Sequence, residues 1–110
     1  MQTFMMLYVG LAARPTAEDN QTRDYNERWG SYMGELAAAG ALESGAPFAA
    51  DGKLVGRESV EPLELGEVDI GGYAIINAES LDAAVELAKR APHIELGGTT
   101  IIRPCVPVGS

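Results

Sequence analysis

The chain has 110 residues, is 46% hydrophobic, and carries a formal net charge of -8. That length fits one compact domain and excludes two independent cores. The acidic balance repels phosphate backbones and anionic lipid, so neither nucleic acid nor a membrane surface is an expected partner, and no run reaches the roughly 18 apolar residues of a spanning helix.

The N-terminal "MQTFMMLYVGLAARP" has the apolar run of a secretion signal but no Lys or Arg before it, so it is read as a first strand and the cytoplasm is the expected location. In "TFMMLYV" (residues 3 to 9) Phe4, Met6 and Tyr8 alternate with Met5, Leu7 and Val9. Both faces are apolar, as in a strand covered on both sides near the centre of a sheet. Thr16 is a plausible helix N-cap, with Glu18 and Asp19 in the first turn. Tyr25, Trp29, Tyr32, Met33 and Leu36 then form one helical stripe, and Gly40 is the expected left-handed stop.

Residues 42 to 70 are the least regular. Asp51-Gly52 suggests a tight turn joining "APFAA" to "KLVG" in a short hairpin, and Pro47 suggests a sheet edge. Glu58, Glu61, Glu64 and Glu67 recur at intervals of three in a segment that Pro62 and Gly66 break, giving a loop or ragged edge strand. A calcium loop needs a tighter ligand pattern, so these acids are expected to form a solvated face. "YAIINA" (73 to 78) is a second strand apolar on both faces. Ser80 caps a helix that buries Leu81, Ala84, Val85 and Ala88, carries Lys89 and Arg90 in its last turn, and stops at Pro92. After a loop holding His93 and the pair Gly97-Gly98, "TTIIRPCV" closes the chain as a strand.

The order is βαββαβ, a ferredoxin-like α+β fold in a single domain, with both helices on one face of an antiparallel sheet. The other face must be covered by something, and a second copy of the chain is the simplest candidate, so a homodimer is expected.

"GGYAIINAESLDAAVELAKRAPHIELGGTTIIRP" (71 to 104) resembles the YCII-related family, in particular its DGPF branch. That branch has a Gly-Gly-aromatic strand, an "S-x-D-x-A-x-x-x-A" helix, a proline, a Gly pair and a strand ending in Arg-Pro. The first half agrees more loosely, through a "MLLY"-type first strand, the helical Trp29, Tyr32 and Leu36, and Gly40. The Asp-Gly-Pro-Phe motif of the branch is replaced by "EPLELGEV". The resemblance implies a dimeric α+β barrel enclosing pockets. The YciI-like branch is suspected of using a helix-1 histidine with an aspartate before the proline after helix 2, and some relatives are enzymes on chlorinated hydroxyquinone-type compounds. Carried onto this chain, the two positions hold Trp29 and Ala91, neither of which can move a proton.

His93, the only histidine, is the candidate general base, the alternative being a loop residue on the dimer rim. Its neighbour Glu95 is expected to point elsewhere. Arg103 either reaches an edge or lines the enclosed face, where it could bind a carboxylate or phenolate. Tyr73, Trp29 and Tyr8 are candidate substrate contacts, with core packing the alternative for Trp29 and Tyr32. Cys105, the only cysteine, can form neither an intrachain disulfide nor a Cys-based metal site and reads as a small buried hydrophobe. Gly71-Gly72 and Gly97-Gly98 match no dinucleotide or phosphate-loop motif, so no organic cofactor and no metal are implied. Two functions stand: a cofactor-free enzyme or small-molecule binder using a barrel pocket with His93 and Arg103, and a non-catalytic dimeric module that binds a protein or acts as an accessory domain.

Overall fold

The computed structural model describes residues 1–11, 20–49, 51–64 and 68–107. The elements in chain order are β1 (Gln2–Leu11), α1 (Asn20–Ala38), β2 (Leu42–Pro47), β3 (Lys53–Val55), β4 (Val60–Pro62), β5 (Val68–Ala78), α2 (Leu81–Ala88), a 3-10 turn (Pro92–Leu96) and β6 (Thr99–Pro104). Four strands form the main sheet in the order β2-β5-β1-β6, all antiparallel. This is the ferredoxin-like α+β arrangement, with a small β3-β4 hairpin inserted between the second and third strands of the core pattern.

The two strands that read as apolar on both faces, β1 and β5, are the two central ones. Phe4 lies opposite Ile76 and Met6 opposite Ala74. All four are fully buried, against Tyr32 and Leu36 of α1 and Ala84 and Ala88 of α2. Burying a side chain such as Phe4, Met6 or Ile76 is worth roughly 1.5–3 kcal/mol, so the helix-covered face supplies the main stabilisation. The alternate residues Met5, Leu7, Val9, Tyr73 and Ile75 face the other way and are only half-buried. On the flanking strand Ile101 is exposed on that same open face.

The helix ends follow local chemistry. Gly40 ends α1 at φ 73°, where a side chain would be strained. Ser80 caps α2 by accepting a hydrogen bond from the Ala83 N–H at 3.1 Å. Lys89 and Arg90 fall just beyond α2, and Leu81 is 47% exposed rather than part of the buried stripe. Thr16, Glu18 and Asp19, expected at the start of α1, and Gly66 and Glu67 lie outside the described residues.

The middle of the chain corrects two expectations. The hairpin turns at Gly56–Ser59, closed by the Gly56 N–H to Ser59 carbonyl bond at 2.8 Å, while Gly52 sits at its base and accepts from the Leu63 N–H. "APFAA" is not its partner strand: β2 pairs with β5, as an edge strand that accommodates Pro47. Part of the acidic segment is therefore strand β4, with Glu58, Glu61 and Glu64 exposed. Cys105 is exposed, not buried: its N–H still pairs with the Thr3 carbonyl, but it lies just past the end of the edge strand β6, where no described residue covers the side chain. No helix among the described residues is long and apolar enough to cross a membrane.

Candidate functional site

Three of the five residues singled out as site candidates meet on the helix-covered side of the sheet. Tyr8 projects from β1, Trp29 from the third turn of α1, and His93 from the 3-10 turn, where Pro92 starts the helical conformation and Gly97, at φ 89°, ends it. His93 is only 4% exposed. Trp29 lies nearly parallel to the imidazole at 5.4 Å between centroids, and Tyr8 meets it edge-on at 5.4 Å. Tyr8 also packs edge-on against Trp29 at 4.9 Å. Such pairs each add about 0.5–1.5 kcal/mol beyond simple burial.

The imidazole has a defined tautomer. Its Nε2 lies 2.7 Å from the Thr99 carbonyl oxygen, which can only accept, so Nε2 carries the proton; the Thr100 hydroxyl oxygen is 3.1 Å from the same nitrogen. Nδ1 is then a lone-pair acceptor. It is buried and has no hydrogen-bond partner among the described residues. Burial holds the His93 pKa below the ordinary histidine value, opposed in part by the bond to Thr99. At neutral pH the ring is an uncharged base with one nitrogen anchored and the other free.

Beneath it, the Tyr8 and Tyr32 hydroxyls pair at 3.2 Å, and Tyr8 also donates towards the Met6 sulfur at 3.5 Å. Burial, and then the Tyr32 contact, push the Tyr8 pKa far above the ordinary phenol value, and burial raises that of Tyr32. Neither phenol ionises in the folded protein near neutral pH. Next to Tyr32, a shallow groove of about 350 Å³ runs between α1 and the turn after α2, lined by residues that include Arg28, Tyr32, Glu35, Arg90 and Pro92 but by none of Tyr8, Trp29 and His93. Its two arginines are engaged: Arg28 with Glu95 at 2.7 Å and Arg90 with Glu35 at 3.8 Å. Glu95 therefore points away from His93, into a bridge from the 3-10 turn to α1. Both pairs are exposed and worth at most about 1 kcal/mol each.

Tyr73 and Arg103 are not part of this cluster. Arg103 pairs with Met5 and Tyr73 with Leu7 across the strands, which puts both on the open face. Tyr73 stacks there on Phe48 at 5.7 Å. The sheet itself separates His93 from Arg103, so one chain offers two distinct surfaces rather than one pocket. Sequence reasoning did not anticipate Thr99, Thr100 or the Tyr8–Tyr32 hydroxyl pair. The helical stripe put Tyr32 in the core, but nothing in the spacing shows which hydroxyls meet. Among the described residues no three His, Cys, Asp or Glu side chains converge to hold a metal ion.

Comparison with known proteins agrees with this architecture. Residues 6–107 match the YCII-related domain. The fold is similar to that of 5-chloro-2-hydroxyhydroquinone dehydrochlorinase from Burkholderia phenoliruptrix AC1100, solved in complex with 2,5-dihydroxybenzoquinone. The TM-score is 0.58 at 20% sequence identity, over 94% of this chain and 93% of that one. At that identity the likeness is one of fold. No curated protein matches the sequence.

Proposed function

Since the chain belongs to the YCII-related family, we propose that it binds a small, flat, hydroxylated molecule against the Tyr8–Trp29–His93 cluster, with no organic cofactor, and that His93 Nδ1 accepts the proton of a ligand hydroxyl. The observation that carries this reading is the free, buried Nδ1 lone pair. An unsatisfied buried polar atom costs about 1–3 kcal/mol, and a ligand hydroxyl would remove that cost. The Thr99 carbonyl orients the ring from the opposite nitrogen, as general base catalysis requires of an orienting partner. Aromatic rings on two sides of the imidazole suit a planar ligand, which would enter from the neighbouring groove as Trp29 moves off the imidazole. The structural neighbour's substrate and bound ligand are ring compounds with hydroxyl groups, which fits this ligand class.

Titration calorimetry with 2,5-dihydroxybenzoquinone, the molecule bound by the neighbour, is the direct test. Saturable binding is expected, weakened at least tenfold by His93→Ala. No heat up to millimolar concentration, or an affinity that His93→Ala leaves unchanged, would defeat the proposal.

A second reading, self-association, is favoured by the open face. Met5, Leu7, Val9, Tyr73 and Ile75 are half-buried there and Ile101 is 45% exposed, a contiguous apolar surface of a kind monomers seldom present. In a homodimer closed over this face, Arg103 and Tyr73 would border the enclosed space and contact a ligand held between the copies. A monomeric mass by light scattering at high micromolar concentration would count against it.

A further inference from the structure

The β3-β4 hairpin is unexplained by the fold. Its strands pair with each other and with no strand of the main sheet, and every described residue from 51 to 64 is exposed. Four of them are large and apolar: Leu54 at 60%, Val55 at 70%, Val60 at 66% and Leu63 at 44% exposure. Val55 and Val60 lie directly opposite each other, so they share one face of the hairpin. A lone two-stranded hairpin is marginally stable in water, and one that displays a valine pair needs a surface to rest on.

The described residues of its own chain do not offer that surface. The molecule measures 44 × 37 × 20 Å with a radius of gyration of 15.3 Å, against about 13 Å for a compact domain of this size. The thin dimension has room for one helix layer and one sheet layer, so the hairpin extends sideways and does not fold over the open face.

We propose that the hairpin Lys53–Pro62 is an arm that clasps a second copy of this chain, laying its Val55–Val60 face on that copy. The inference rests on the self-association reading above and goes beyond it by assigning the arm as part of the interface. Area favours it. Four strands spaced about 4.8 Å apart, over six residues of about 3.3 Å each, give an open face of about 400 Å² per copy. Two such faces bury about 800 Å² between them, short of the roughly 1,200–2,000 Å² of a stable interface. Two arms, each laying about 150 Å² on an equal patch of the other copy, bring the total to about 1,400 Å².

Charge favours it as well. Each copy carries a net charge of -8, so two copies repel at long range. The arm holds Lys53 and Arg57 against Glu58 and Glu61, a net charge of zero. It is a neutral element on an acidic chain and can approach a second copy without adding repulsion. Phe48, stacked on Tyr73 and 44% exposed, extends the apolar surface of the open face towards the segment that leads into the arm.

The test compares the dimer dissociation constants of the wild type, a Val55→Glu/Val60→Glu double variant and a Leu7→Glu variant, by light scattering over a concentration series. The arm variant is expected to raise the constant at least tenfold, while the melt of the dissociated chain, taken well below both dissociation constants, stays unchanged because both valines are exposed and outside the core. If Leu7→Glu dissociates the dimer and the arm variant stays within twofold of wild type, the arm inference falls and the dimer stands. If the wild type is monomeric, both fall. A photo-crosslinking p-benzoylphenylalanine in place of Val60 gives an independent readout: a covalent dimer is expected, and a crosslink confined to one chain overturns the proposal.

Discussion

Gly98→Ala tests whether the turn before β6 is built around His93. A Cβ at position 98 would lie 2.6 Å from His93 Cδ2, 2.8 Å from the Val9 carbonyl oxygen and 2.9 Å from the His93 carbonyl oxygen. Neither carbonyl can move away cheaply. Val9 pairs with Thr99 in the sheet, and the His93 carbonyl accepts the Gly98 N–H at 2.9 Å. The imidazole must yield instead, and Trp29 and Tyr8 confine it. Overpacking of this kind costs about 1–3 kcal/mol, and shifting the ring loses the Nε2 bond to Thr99, a net loss of about 1 kcal/mol. The expected destabilisation is therefore about 2–4 kcal/mol, or about 8–16 °C in Tm at roughly 4 °C per kcal/mol. Urea denaturation and thermal melts measure it. Trp29 is the only tryptophan, so near-UV circular dichroism reports its stacking on His93 separately, and that signal should fall. A stability loss under about 0.5 kcal/mol with an unchanged near-UV spectrum would show that the close approach does not constrain the ring.

Two further outcomes follow from the same geometry. The folded-state pKa of His93 is depressed by burial, so below the unfolded value of about 6.5 the unfolded chain binds the extra proton first. The neutral ring's contribution is thus complete above about pH 6.5 and declines as pH falls from there towards the folded pKa. The stability difference between wild type and His93→Gln, measured by urea denaturation from about pH 7.5 to pH 5, should change with that sign, and a difference independent of pH would refute it. Ser80→Ala removes the acceptor for the Ala83 N–H and should cost about 1 kcal/mol in the same assay, with Ser80→Thr restoring most of it; equal stability of all three would show that the cap is not formed in solution.

Periodicity carried most of the fold because the core is one-sided. Phe4, Met6 and Tyr8 repeat with period two, and Trp29, Tyr32 and Leu36 with a helical period, so the burial of each side chain follows from its place in the pattern. Ser80 and Gly40 were legible because caps have local chemistry. The β3-β4 hairpin was legible only in its first strand, "KLVG", because its exposed valines contribute no core pattern to mark the partner, and Asp51-Gly52 is a stronger turn signal than the Gly56–Ser59 turn that forms. Cys105 was misread for a related reason: burial at the end of an edge strand depends on what lies over it, not on the residue's own preference. The separation of Arg103 from His93 was available in principle. Strand parity puts Arg103 with Ile101 and Thr99 on one face, but only the register against Met5 and Leu7 says which face is open.

The YciI-like resemblance places Trp29 where those relatives carry a helix-1 histidine, and the structure gives that substitution a physical meaning. Trp29 stacks directly on His93, so an imidazole does stand beside the helix-1 position, supplied by the turn after α2 instead of by α1. Its partner also differs. A carboxylate next to a histidine stabilises the imidazolium and raises the pKa. Here Ala91 is buried where the acid would stand, and Nε2 donates to the neutral Thr99 carbonyl. The Tyr8 and Tyr32 phenols in the same cluster are neutral near neutral pH as well. On the proposed function, the site would accept a hydrogen bond or a proton from an acidic hydroxyl that brings its own stabilised anion, because a histidine whose pKa burial lowers holds a proton poorly by itself. That requirement would select for ligands whose conjugate base is delocalised, as in a hydroxyquinone, over simple alcohols, whose pKa values lie far above that of a depressed histidine.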